Sequence, residues 1–136
     1  MIATFMNKPG NHKALANQIG EKLIGKVVDD FYNLIQTHPT LARPFATVED
    51  WPSHKDSIAN FWWVALGGKP QKSYRYDPIR KHVSAGFNAA LLTEWQELFD
   101  VVIKSHIETE LAEKWFLRVQ MIGKNLLLQN DRLIGK

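Results

Sequence analysis

Apolar residues recur along this chain at helical spacing. Over 18–37 they stand at Ile19, Leu23, Val27, Phe31 and Ile35, and Ile24, Val28 and Leu34 widen that line into a stripe. Positions three and four apart share one face of an α-helix, so the spacing predicts a helix with one buried side. Tyr32 lies four after Val28 and three before Ile35, which turns its ring inward with them. A buried phenol needs a partner for its hydroxyl. The helix is expected to stop before Pro39, because the residue ahead of a proline resists the α conformation.

A turn-rich connection with Pro39, Pro44 and Phe45 occupies 37–50. Asp50 then stands where a side chain can cap a new helix, with Pro52 in its first turn. That helix is predicted over 51–66, with Trp51, His54, Ile58, Phe61, Trp62 and Ala65 on one face and Gly67–Gly68 closing it. From 67 to 87 the periodicity weakens into Gly, Pro, Tyr and basic residues, which predicts a loop and one short helix around 79–83, where His82 lies. Two longer helices follow. One covers 91–106 along Leu92, Trp95, Phe99, Val102 and His106; the other covers 110–129 along Leu111, Trp115, Val119, Ile122 and Leu126. No stretch alternates with strand period and no internal repeat is present, so the expected fold is all-α.

Length and composition narrow this further. A chain of 136 residues makes one core, read as an N-terminal extension over 1–17 and a domain over 18–136. There is no Cys, which excludes disulfides, thiolate metal sites, iron–sulfur clusters and cysteine nucleophiles. The net charge of +3 comes from cations scattered along amphipathic helices, concentrated only from Lys69 to Lys81. Nucleic-acid binding calls for clustered cations on one face, so no nucleic-acid partner is expected. No apolar run reaches the length of a membrane span, and residues 1–10 lack the apolar core of a signal peptide. A cytoplasmic location without membrane attachment is the expectation.

Candidate chemistry rests on coincidence. A histidine on an apolar helix face, such as His54, is more often a hydrogen-bonded core residue than a ligand, and a histidine in a basic loop, such as His82, is usually solvated. Tyr32, His54 and Trp95 nevertheless point inward from three different helices, and each carries a polar tip that needs a buried partner. Other chemistries lack their motifs. No glycine-rich phosphate loop follows a strand, no His-Glu-x-x-His is present, and no Glu-x-x-His exists for a carboxylate-bridged metal pair. The serines have no nucleophile-elbow context.

In order along the chain stand Val28-Asp-Asp-Phe31-Tyr32, Pro44-Phe45, and Asp50-Trp51-x-x-His54-x-x-x-Ile58-x-x-Phe61-Trp62. Tyr74-x-x-x-Pro78-x-x-x-His82, Trp95-x-x-Leu98-Phe99 and Arg118-Val-Gln-Met-Ile122 continue the set. Over about residues 20–130 this series resembles the truncated haemoglobins, and most of all their group III or P class. The resemblance implies a shortened globin, a two-over-two helical sandwich around haem b. By position, His82 corresponds to the proximal iron ligand, and Tyr32, His54 and Trp95 to the distal polar set, with His54 as a possible second iron ligand. Phe31, Phe45, Ile58, Phe61 and Trp62 correspond to the pocket wall. The cations Lys69, Lys72, Arg75, Arg80 and Lys81 are either a solvated loop or partners for haem propionates.

The chain departs from the family pattern in places. The segment from Gly67 to Tyr74 is longer than usual, Tyr76 replaces a common glycine, Val83-Ser84-Ala85-Gly86 replaces a Leu-Pro stretch, and Leu92 stands where Phe is common. No glycine pair precedes Tyr32, which favours group III over the other classes. The function implied is binding of O2, CO and NO at ferrous iron, in a polar pocket that holds O2 tightly. The alternative is a haem enzyme for NO dioxygenation or peroxide chemistry, supplied with electrons by an external reductase.

Overall fold

The apolar stripe of 18–37 folds as two helices. In the computed structural model, which describes residues 13–70 and 88–134, α1 spans Leu15–Ile19 and α2 spans Glu21–Gln36. Gly20, at φ +98°, separates them. Ile19 therefore belongs to α1, whose Leu15 and Ala16 are also in the core. A 3₁₀ turn at Arg43–Phe45, α3 at Trp51–Ala65, α4 at Ala89–His106 and α5 at Thr109–Ile134 follow. The described residues are thus all-helical, as the periodicity implies. The short helix expected around 79–83, and His82 within it, lie outside the described residues.

Side chains set where the helices begin and end. Asp50 Oδ1 accepts a hydrogen bond from the Ser53 backbone N–H at 3.1 Å, capping α3 as its position suggests. Beyond the other end Gly67 takes φ +98°, a backbone conformation that suits glycine. The α4 helix starts before its apolar line because Asn88 Oδ1 accepts from the Leu91 N–H at 2.9 Å. In the connection after α2, His38 Nδ1 accepts from the Thr40 and Leu41 backbone N–H groups at 3.2 and 3.1 Å. That ring substitutes for a helical carbonyl and turns the chain toward the 3₁₀ segment.

The helices pack as two pairs, α2 with α3 and α4 with α5, and α2 also lies against α4. The short α1 closes one end of the molecule against α2, α3 and α5. The largest fully buried side chains include Phe31, Tyr32, Trp62, Phe99 and Trp115. Each ring of this kind contributes ~1.5–3 kcal/mol by leaving water, so α2 is held mainly by the face that carries Phe31 and Tyr32. Between α3 and α4, Trp62 meets Phe99 edge to face at 5.4 Å between centroids. Among the described residues no helix is long and apolar enough to cross a membrane.

The exit from α3 is tightly packed. A Cβ on Gly68 would stand 2.3 Å from Trp63 Cε2, and the Trp63 indole N–H donates to the Lys69 carbonyl at 2.6 Å. The ring cannot retreat without giving up that bond. Gly68→Ala is expected to destabilise the fold by about 1–3 kcal/mol, the usual cost of overpacking. Urea denaturation checks this, as a lower midpoint with an unchanged slope.

Candidate functional site

Tyr32 sits at the meeting point of α2, the 3₁₀ turn and α3. Only 2% of it is exposed. Its ring lies 4.8 Å from Phe31, 5.7 Å from Phe45, 6.0 Å from Trp51 and 6.3 Å from His54, measured between centroids. His54 meets both Tyr32 and Trp51 edge to face, the latter at 5.3 Å. The helical offset of three residues between Trp51 and His54 makes that second contact local to α3. Phe45 reaches the cluster because the 3₁₀ turn folds it back toward Trp51, at 6.3 Å.

Trp95 joins this cluster through Phe31. Phe31 lies 5.9 Å from Trp95 and stacks on Phe99 at 4.5 Å with an interplanar angle of 14°. One ring of α2 therefore bridges the tyrosine and the indole of α4. The remaining residues expected on the pocket wall divide. Ile58 and Trp62 are buried, and Trp62 sits deeper, against Phe61, Phe99 and Trp115. Phe61 is half-buried, as are Phe45, Trp51 and His54. His82, the expected iron ligand, lies outside the described residues.

The polar groups of the site are dry while its apolar rim is open. His54 Nε2 and Trp95 Nε1 are both shielded from solvent, and the Tyr32 phenol is buried with them. Half-exposed rings of Phe45, Trp51 and Phe61 stand at the margin. A few buried polar tips among large flat side chains suit a flat, largely apolar cofactor that presents one small polar ligand. Among the described residues no group of three or more His, Asp or Glu could hold a metal ion directly. In the core, Trp115 Nε1 is buried with no hydrogen-bond partner among the described residues, and so is the Oδ1 atom of Asp100, whose other oxygen pairs with Lys104 nearer the surface.

Polar ties outside the pocket join the elements that build it. Lys55 Nζ donates to Asp29 Oδ1 at 2.9 Å and to Asn33 Oδ1 at 2.7 Å, linking α3 to α2. The Thr40 hydroxyl donates to Glu94, the residue beside Trp95. His106 pairs with Asp30 at 2.5 Å at the far end of α4, so this histidine of the α4 apolar line meets a carboxylate of α2. Arg118 donates to the Ala65 carbonyl at 2.6 Å, satisfying an open end of α3 from α5. Sequence reading missed Trp51 as a site residue although its spacing from His54 signals it. It also missed these ties, whose partners are remote in sequence and carry no periodicity.

Comparison with known proteins agrees with this architecture. No family model matches the chain. A curated relative, the group 3 truncated hemoglobin ctb of Campylobacter jejuni, is 26% identical over 113 residues, covering 79% of this chain and 87% of that protein. The crystal structure of the group III truncated hemoglobin from Campylobacter jejuni superposes with a TM-score of 0.71 at 27% identity, covering 82% of this chain and 90% of its own. The chain has the truncated globin fold, and its resemblance to group III holds in sequence and in structure.

Phe31 is the side chain on which the site depends. Its ring is fully buried and touches Tyr32, Trp95 and Phe99. Phe31→Ala is expected to cost about 3–5 kcal/mol through lost burial and the cavity left behind. Phe31→Leu retains more of the volume and is expected to cost less. Urea titrations of both variants, followed by circular dichroism, test that order.

Proposed function

We propose that this chain binds haem b and, through it, the diatomic gases O2, CO and NO. The carrying observation is the joining of Tyr32, His54 and Trp95 by ring contacts in a chain with the truncated globin fold. When bound, haem supplies an iron atom that takes a diatomic ligand in its ferrous state. His82 is proposed, by its place in the sequence pattern, as the residue that would hold the iron. Phe45, Trp51 and Phe61, half-buried at the margin, would line the haem site and exclude water from it. Phe31, Ile58 and Trp62 back that wall from the core.

The distal residues decide which gas is held. The Tyr32 hydroxyl and Trp95 indole N–H are neutral donors in a dry setting, where a hydrogen bond is stronger than in water. They favour O2, the more polar ligand when bound, over CO. Each such bond contributes about 0.5–1.5 kcal/mol net, so the pair slows O2 escape and suits firm retention better than delivery. His54 is held edge to face by Trp51 and Tyr32. That packing supports a role as a wall and gate residue rather than as a second iron ligand.

Spectroscopy tests the assignment. Ferric haem added to the purified protein is expected to give a sharp Soret band that His82→Ala weakens or abolishes; an unchanged band in that variant removes His82 from the proposal. Tyr32→Phe and Trp95→Phe are each expected to raise the O2 dissociation rate by roughly two- to tenfold. Stopped-flow replacement by CO measures both rates, and CO release should change much less. Ferric wild-type protein is expected to be high-spin and to stay so in His54→Ala. A low-spin spectrum that turns high-spin in the variant would instead make His54 an iron ligand.

A further inference from the structure

We infer that Lys55 is a positioning residue that sets the distance between His54 and Tyr32 from outside the pocket. Its consequence for ligand binding rests on the proposed function; the geometry does not. Lys55 follows His54 in α3, so one residue step of the helix aims the two side chains about 100° apart. His54 faces the rings and Lys55 faces α2. There the ammonium meets Asp29 Oδ1 at 2.9 Å and Asn33 Oδ1 at 2.7 Å. These acceptors are one helical turn apart on α2 and bracket Tyr32 in sequence.

Two anchors a turn apart do what one cannot. With α3 already packed on α2 by buried side chains, two hydrogen bonds a turn apart restrain its remaining lateral and axial play, where one would restrain it at a single point. The Lys55 side chain is only 17% exposed, while Asp29 is 58% exposed. Ion pairs open to water add little to global stability, so the tie is poorly suited to holding the fold together. It is well suited to choosing one register among nearby packings. Asn33 Nδ2 also lies 3.5 Å from Asp29 Oδ2, which keeps the two acceptors oriented toward each other. The contact at stake is between helices: Tyr32 and His54 are 6.3 Å apart, edge to face. The contact between His54 and Trp51 lies within α3 and does not depend on the tie.

That contrast supplies an internal reference. Nuclear Overhauser cross-peaks among the rings of Tyr32, Trp51 and His54 are to be recorded on protein reduced under CO, so that any bound iron is diamagnetic. In Lys55→Met the Tyr32–His54 cross-peak is expected to fall several-fold relative to Trp51–His54, with Lys55→Arg restoring it. Asp29→Asn, a milder change, is expected to fall between wild type and Lys55→Met, and it decides the matter should Lys55→Met fail to fold. An unchanged ratio of the two cross-peaks in both variants overturns the inference. So does a parallel loss of both cross-peaks together with helicity in Asp29→Asn, which marks a general structural role. In haem-loaded protein, O2 dissociation from Lys55→Met is expected to be about fivefold faster than from wild type, and much less so in a His54→Ala background. If the protein takes up no haem, the cross-peak ratio still decides the role of Lys55, and only the functional reading falls.

Discussion

Phe31 has no exposed surface and meets rings from two directions, Tyr32 edge-on beside it in α2 and Phe99 stacked on it from α4. This contact constrains how α2 sits on α4 and where the rings of the site lie. A stacked pair at 4.5 Å leaves little room for α2 to shift against α4. Because Tyr32 is the next residue, fixing the Phe31 ring also fixes where the phenol goes. Trp95 then has one side already defined by Phe31, at 5.9 Å. The polar part of the site is thus arranged by its apolar part, and it costs the protein few hydrogen bonds of its own.

Burial works differently on the two kinds of group. The apolar rings gain from leaving water, and they drive the helices together wherever the rings fall. The buried tips of His54 and Trp95 gain nothing by desolvation and contribute through what they can hold. Half-buried Phe45, Trp51 and Phe61 pack against the edge of the core. A ligand that covers those rings would add apolar burial and meet polar tips already in place. That combination is the physical basis of the proposed haem site.

The end of α3 illustrates how a chain leaving a site is anchored. Arg118 from α5 holds the Ala65 carbonyl, the Ala16 N–H from α1 donates to the Leu66 carbonyl at 2.9 Å, and Trp63 holds the Lys69 carbonyl. Carbonyls at a helix end have no partner within the helix, and here α5 and α1 supply partners for two of them, while Trp63 of α3 itself holds a carbonyl just beyond the end.

Much of this was legible in the residue pattern. The apolar lines along α2, α3, α4 and α5, with positions three and four residues apart, follow from burial of one helical face, and Asp50 and Gly67 mark the ends of α3 by chemistry that acts within a few residues. The inward aim of Tyr32, His54 and Trp95 is of the same local kind, since a side chain's face on a helix depends only on its register. What the sequence could not decide is which of those faces meet. The break at Gly20 required a backbone turn that periodicity reads straight through, because Ile19 and Leu23 remain four apart whether or not a helix joins them. The division of the expected wall, with Trp62 against Trp115 and Phe61 at the margin, and the reach of Lys55 to Asp29 and Asn33 depend on distances between helices. Those distances are set jointly by the packing of many side chains and by ties between helices such as that of Lys55, and no single stretch of the chain encodes them.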